Sequence, residues 1–247
     1  MRYLVAIPVY NEAPTVHAVL QEVRRHAPDI LIIDDGSTDH TPALLAREPD
    51  LAVIRHTSNR GYGQSLIDAF KYARDAKYDW LITMDCDEQH EPARIPVFLR
   101  AAADDDADII SGSRYLAAMN GNSRPPVDRL AINQGITDLL NELLNMNISD
   151  AFCGFKAYRV AALKDFDLTV PGYGMPLQFW VQTARLGLRI REIPVRLIYN
   201  DPSRHFGGSL DDPDKRLLYY YQVLVHEMAR WAREADARLL PANRQTS

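Results

Sequence analysis

Trp80-Leu81-Ile82-Thr83-Met84-Asp85-Cys86-Asp87-Glu88-Gln89-His90 is the stretch that decides the fold of this chain. Its first half is a short, unbroken apolar run, which reads as a strand buried on both faces. The run stops at two carboxylates one residue apart. An apolar run leading into a polar, acid-bearing cluster stands twice more upstream, where residues 3–8 lead into Tyr10-Asn11-Glu12 and residues 30–33 lead into Asp34-Asp35-Gly36-Ser37. Residues 52–54 and 108–111 predict two further strands. Between them, residues 13–26 carry Val16, Val19, Leu20 and Val23 at helical spacing, Thr41 is placed to cap a second helix, and residues 65–76 predict a third. Strands alternating with helices make right-handed crossovers and a mainly parallel sheet. In such sheets ligands bind beyond the carboxyl ends of the strands, so the acids that end these runs should converge on one crevice.

The second half is less regular, with a break near Ser123-Arg124-Pro125-Pro126. It holds a predicted helix over 130–145, a strand over 188–198 and a long helix from Asp214. Residues 101–106 (AAADDD) read as a helix end meeting a solvated acidic loop. No repeat and no Gly- or Ser-rich linker divides the chain.

Composition narrows the function classes. The 247 residues are 47% hydrophobic and 25% charged, which fits one well-buried α/β domain. A net charge of −5 argues against nucleic-acid binding, since phosphate backbones demand a basic footprint. Two cysteines, Cys86 and Cys153, supply neither a disulfide framework nor a Cys-rich zinc site, and predict a reducing, cytoplasmic setting. The opening residues enter strand-like sequence directly, without a signal-peptide layout, and no stretch approaches a membrane span.

Two carboxylates at Asp85-x-Asp87 on a strand-end turn can hold a hard divalent cation, Mg²⁺ or Mn²⁺, which completes its shell with substrate phosphates. Gln89 adds a neutral oxygen in step with them; the alternative is a turn that merely caps the next helix. Of Asp34 and Asp35, adjacent on a strand, one should face the crevice and accept hydrogen bonds from a base or ribose. The competing reading is an Asx turn into Gly36. Arg114, Arg124, Arg129 and Arg204 suit phosphate oxygens, and Arg204 sits in a Gly-rich loop over 203–209 fit for a lid. Gly61-Tyr62-Gly63 lacks the rest of a dinucleotide fingerprint, and no P-loop, nucleophile elbow or HExxH pattern occurs. The residues by themselves point to a metal-assisted enzyme acting on a nucleotide diphosphate compound.

The motifs Ile7-Pro8-Val9-Tyr10-Asn11-Glu12, Ile33-Asp34-Asp35-Gly36-Ser37-Thr38-Asp39 and residues 85–90 together resemble family-2 glycosyltransferases of the GT-A fold. Asn59-Arg60-Gly61-Tyr62-Gly63, Gly112-Ser113-Arg114-Tyr115, Gly154-Phe155-Lys156, Gly172-Tyr173-Gly174 and Arg204-x-x-Gly207-x-Ser209 make the chain similar to the dolichol-phosphate (polyprenyl-phosphate) mannosyltransferase group. The match spans roughly residues 3–215. It implies a Rossmann-like α/β sheet and inverting transfer of mannose from GDP-mannose to a polyprenyl phosphate. It also implies that Pro8, Tyr10, Asn11, Glu12, Asp34, Asp35, Asp85 and Cys86 form the donor side. Asp85, Asp87 and Gln89 would hold the metal. Arg114, Arg129, Asn133, Arg204 and Ser209 would surround the phosphates, with Asp87, Arg204 and Arg114 carrying catalysis. UDP-glucose with a hydroxyl acceptor is the alternative, and a binding regulator without turnover would have lost part of this set.

Some positions depart from the group. Cys86 stands where a small residue is common, Glu88 where glycine or leucine is usual, and Asn133 where serine is familiar. Pro176 and Gln178 replace a Gln-x-Glu pattern that bears on sugar or acceptor choice. The expected organisation is a catalytic domain over 1–213, with a nucleotide half to 112 and an acceptor half beyond it, followed by an amphipathic helix and tail over 214–247. Leu217, Tyr221, Leu224, Met228 and Trp231 recur at helical spacing there. They would either lie on a membrane surface or pack against the catalytic domain, and a small membrane partner is the remaining route to a lipid acceptor.

Overall fold

The computed structural model describes residues 1–119, 121–123, 125–199 and 206–239, with side chains to 233. The chain runs β1 (Tyr3–Val9), α1 (Val16–Arg24), β2 (Ile30–Asp34), α2 (Thr41–Leu45), β3 (Ala52–Arg55), α3 (Tyr62–Asp75) and β4 (Trp80–Thr83). It continues through α4 (Ile95–Ala103), β5 (Ile109–Ser113), α5 (Val127–Leu144), β6 (Lys156–Arg159), α6 (Met175–Arg185), β7 (Ile190–Pro194) and α7 (Pro213–Leu239). The seven strands form one sheet in the order β3-β2-β1-β4-β6-β5-β7. All pairings are parallel except those of β6, which runs antiparallel to both β4 and β5.

Strand residues alternate between two cores because successive side chains point to opposite faces. Leu4, Ala6, Leu31, Ile33 and Leu81 face α3, α5, α6 and α7. Val5, Ile7, Ile30, Ile32 and Ile82 face α1, α2 and α4. This parity settles the fate of the acids that follow each strand: Asp34 continues the α1 face and Asp35 the α3 face.

One expectation needs correction, and two elements were not expected. The expected strand over 188–198 shortens to β7, although Val195 still donates to Ser113 O at 2.9 Å. β6 carries no apolar run, yet it is a central strand, its Ala157 between Ile82 and Ile110. α6 escapes the apolar pattern because Gln178, Gln182 and Thr183 are buried within it. Gln178 and Gln182 donate to the buried Glu227 of α7 at 2.8 and 2.7 Å, so paired polar groups fill apolar positions.

α7 packs on α5 and α6 with Tyr220, Val223 and Leu224 buried and Leu217, Met228 and Trp231 against the same core. Of the expected stripe only Tyr221 turns outward, beside Leu218 and Val225. No helix among the described residues is long and apolar enough to cross a membrane.

Candidate active site

The carboxyl ends of β1, β2 and β4 open onto a cavity of about 580 Å³ whose wall includes Pro8, Tyr10, Glu12, Asp35, Asp85 and Asp87. Each acid is held there by a local device. Asp35 accepts the backbone N–H groups of Arg60 and Gly61, both at 2.8 Å, and its Oδ1 lies 2.6 Å from His56 Nδ1. The turn that aims those amides needs glycine. Gly61 has φ +101°, and a Cβ there would stand 2.5 Å from Pro171 O. Glu12 accepts from the Thr15 hydroxyl at 2.9 Å.

Asp85 sits at the end of β4 with its carboxylate against the Tyr62 hydroxyl, which donates to it. Gly154 leaves room for that carboxylate: a Cβ would lie 2.6 Å from Asp85 Oδ2 and 2.9 Å from Tyr62 Oη. The backbone N–H of Asp85 donates to His90 Nδ1 at 2.9 Å. Burial raises the Asp85 pKa; neighbouring Asp87 pushes the same way, while His90 and the Tyr62 hydroxyl oppose them. Asp87 Oδ1 accepts the Gln89 N–H at 3.0 Å. Between the aspartates, Cys86 is 2% exposed and belongs to the core beneath the cavity as well as to its wall. Glu88 has φ +60° and is exposed, which explains why glycine suits this turn. No cluster of three His, Cys, Asp or Glu poised for a metal occurs among the described residues. Asp85, Asp87 and Gln89 line the cavity instead and carry hard oxygen atoms of the kind that Mg²⁺ or Mn²⁺ takes.

The far end of the cavity is cationic and aromatic. Arg114 reaches its wall, but its guanidinium forks onto the buried Asp150 at 2.7 and 2.8 Å. Burial alone would raise Asp150, but the Arg114 charge, the hydrogen bonds from the Arg114 side chain and backbone, and the Lys156 charge together outweigh it, so the carboxyl is lowered. Arg129 lies 4.7 Å over the Phe206 ring and 5.5 Å over Tyr199. Arg216, 2% exposed, stacks on the same Phe206 at 4.8 Å and pairs with Asp128 at 2.8 Å. Asn133 and Tyr220 complete this wall.

Several expected residues stand elsewhere. Asp34 leaves the cavity, because its Oδ1 accepts the Ser37 N–H at 2.9 Å and its Oδ2 lies 3.3 Å from Arg55. Asn11 braces the loops that follow β1 and β2, accepting from Thr38 N at 2.8 Å and donating its own N–H to Ser37 Oγ at 2.9 Å. Ser209 is exposed in a short 3-10 turn over Gly208–Asp211. Gln178 lies in the α6–α7 network, whereas Pro176 does line the cavity. Arg124 and Arg204 lie outside the described residues. Sequence reasoning missed Tyr62, Tyr173, Phe206, Arg216 and Tyr220. For Tyr62 and Tyr173 the flanking glycines were the available signal; for Arg216 there was none.

The profile of glycosyl transferase family 2 matches residues 4–167. The undecaprenyl-phosphate mannosyltransferase of Micrococcus luteus is 32% identical over 219 residues, covering 84% of this chain and 89% of the relative. The polyprenol monophosphomannose synthase of Mycolicibacterium smegmatis is 32% identical over 205 residues, covering 78% and 76%. Among solved structures, glucosyl-3-phosphoglycerate synthase from Mycobacterium tuberculosis, in complex with Mn²⁺, UDP and glucosyl-3-phosphoglycerate, superposes with a TM-score of 0.69. That likeness covers 92% of this chain and 79% of the other at 18% identity, and shows the GT-A fold. By profile, relatives and fold together, the chain belongs to glycosyl transferase family 2 and is a glycosyltransferase.

Proposed function

We propose that this enzyme moves a hexose, mannose, from a nucleotide diphosphate sugar to a polyprenyl phosphate, inverting the anomeric carbon. The observation that carries the reading is the polarity of the cavity. Carboxylates aimed by amides and hydroxyls line one end, and guanidiniums stacked on aromatic rings line the other. The named activities of the Micrococcus and Mycolicibacterium relatives support the lipid-phosphate acceptor.

Pro8, Tyr10, Glu12 and Asp35 take the nucleoside. Asp85, Asp87 and Gln89 hold a divalent cation, which when bound neutralises the charge gathering on the leaving diphosphate. Arg129 and Arg216 draw the acceptor phosphate to the opposite end, and Asn133 offers it a side-chain amide. A lipid phosphate is already anionic at neutral pH, so the chain needs no general base, and catalysis rests on in-line positioning. The rings of Tyr173, Phe206 and Tyr220 give the first isoprene units an apolar lining. Arg216 and Tyr220 belong to α7, so on this reading that helix contributes to the catalytic unit. The outward residues Leu218, Tyr221 and Val225 suit peripheral contact with the lipid surface that holds the acceptor.

The test is release of nucleotide diphosphate with Mg²⁺ or Mn²⁺, comparing GDP-mannose and UDP-glucose, with and without a short polyprenyl phosphate. Lipid-dependent release with GDP-mannose that falls about 10³-fold in Asp87→Ala is expected, the size of several kcal/mol of charge stabilisation. Donor binding without lipid-dependent release would move the acceptor to a hydroxyl group.

A further inference from the structure

His56 follows β3, is 6% exposed and does not line the cavity. Its ring is nonetheless suspended between two carboxylates. Nδ1 lies 2.6 Å from Asp35 Oδ1, and Nε2 lies 2.9 Å from Asp68 Oδ2 on α3. A carboxylate only accepts, so both contacts are hydrogen bonds when both ring nitrogens carry protons. Asp68 is tied down in turn by Gln64 Nε2 at 3.1 Å, with Arg60 Nη1 at 3.7 Å. Asp35 thus receives one charge-assisted bond from behind and two amides from the side. Oδ1 is occupied by His56 and the Arg60 amide, and among the described residues Oδ2 accepts from Gly61.

We propose that His56 is the positioning residue of the nucleoside site: clamped between Asp35 and Asp68, it fixes the Asp35 carboxylate so that Oδ2 presents an acceptor to an N–H or O–H of the bound nucleoside. Two directed contacts at 2.6 and 2.9 Å on a buried ring are more than packing requires, since an aromatic hydrocarbon would fill the same space. The clamp also links α3 to the loop over 56–61, so the wall that meets the nucleoside moves as one body with the helix that carries Tyr62. The inference rests on the proposed nucleotide donor.

Isothermal titration with GDP and with UDP, alongside donor KM and kcat, tests it. Asparagine places its amide where Nδ1 stands and keeps the bond to Asp35. Glutamine reaches toward Asp68 and loses it, and phenylalanine keeps only the shape. His56→Gln and His56→Phe should weaken nucleotide binding by about tenfold, the worth of one charge-assisted bond, and raise donor KM with kcat nearly unchanged. His56→Asn should stay within about threefold of the parent at a similar melting temperature. Asp68→Asn, which leaves the imidazole in place, should weaken binding by less than His56→Gln. Equal losses in His56→Asn and His56→Gln, or none in either, would overturn the proposal. Failure of the parent enzyme to bind either nucleotide would instead strike the donor reading itself.

Discussion

The two ends of the sheet are both rich in aspartate, and they do opposite things. At the amino ends of β5 and β7, Asp104, Asp106 and Asp108 face arginines: Asp108 meets Arg159 at 3.1 Å and Arg189 at 3.0 Å, while Arg191 meets Asp104 at 2.7 Å and Asp106 at 3.2 Å. All three carboxylates are neutralised by arginines; Asp104 and Asp106 are exposed, and for Asp108 the Arg189 partner is, and ion pairs open to solvent contribute little. At the carboxyl ends, Asp35, Asp85 and Asp87 accept from amides, a hydroxyl or an imidazole, and all three line a concavity. Amides and a hydroxyl aim a carboxylate without cancelling its charge. The imidazoles are fewer than the acids they serve, His56 being shared between Asp35 and Asp68, so this end keeps a net negative charge able to attract a cation or a polar ligand. The number of acids does not distinguish a site; the kind of partner does.

The sharpest way to break that contrast is to disturb the aim while keeping every acid. Gly154→Ala adds one methyl group 2.6 Å from Asp85 Oδ2, so the carboxylate or the Tyr62 hydroxyl must move. A displacement near 1 Å at a reacting centre costs on the order of 10²-fold. We expect kcat/KM to fall by that amount, with the melting temperature little changed. An alanine variant of parental activity would show that Asp85 is not held by this packing.

The far end of the cavity gives a smaller, more selective effect. Arg216→Lys keeps a cation but loses the planar fork that serves Asp128 and the Phe206 ring at once. Acceptor KM should rise by about tenfold while nucleotide binding holds, since one oriented guanidinium contact is at stake. A matching loss in nucleotide affinity would place Arg216 on the donor side instead.

What the sequence made legible follows the same division. β1, β2 and β4 announce themselves as apolar runs ending in acids, because parallel central strands are buried on both faces. The acids brought together at their ends were readable from that register alone. Asp34 and Asp35 could not be separated until the faces of β2 were known. The aromatic end was less visible: Tyr173, Phe206 and Tyr220 come from separate segments, and only tertiary packing assembles them. β6 and α6 were hidden for a related reason. Lys156 and Gln178 are polar residues in buried positions, satisfied by Cys153 O and by Glu227, and local apolar periodicity carries no trace of a distant partner.

The smallest expected effect lies at the neutralised end and tests whether those acids are structural. Hydrogen bonds from the Arg189 side chain, with its backbone N–H and the Arg159 charge, hold Asp108 down to about 2. An aspartate in an unfolded chain titrates near ~3.9. The folded state therefore favours the ionised form, and this contribution is complete above about pH 4 and lost as pH falls through about 2. Arg189 is largely open to solvent, so screening keeps the gain small. Melting temperatures of the parent and of Asp108→Asn, measured at pH 6, 4 and 2.5 in low salt, should differ most at pH 6 and draw together as pH falls. Transfer activity at pH 7 should be unchanged in the variant, because nothing at this end of the sheet reaches the cavity. A loss of activity there, with stability preserved, would erase the distinction between acids that are cancelled and acids that are aimed.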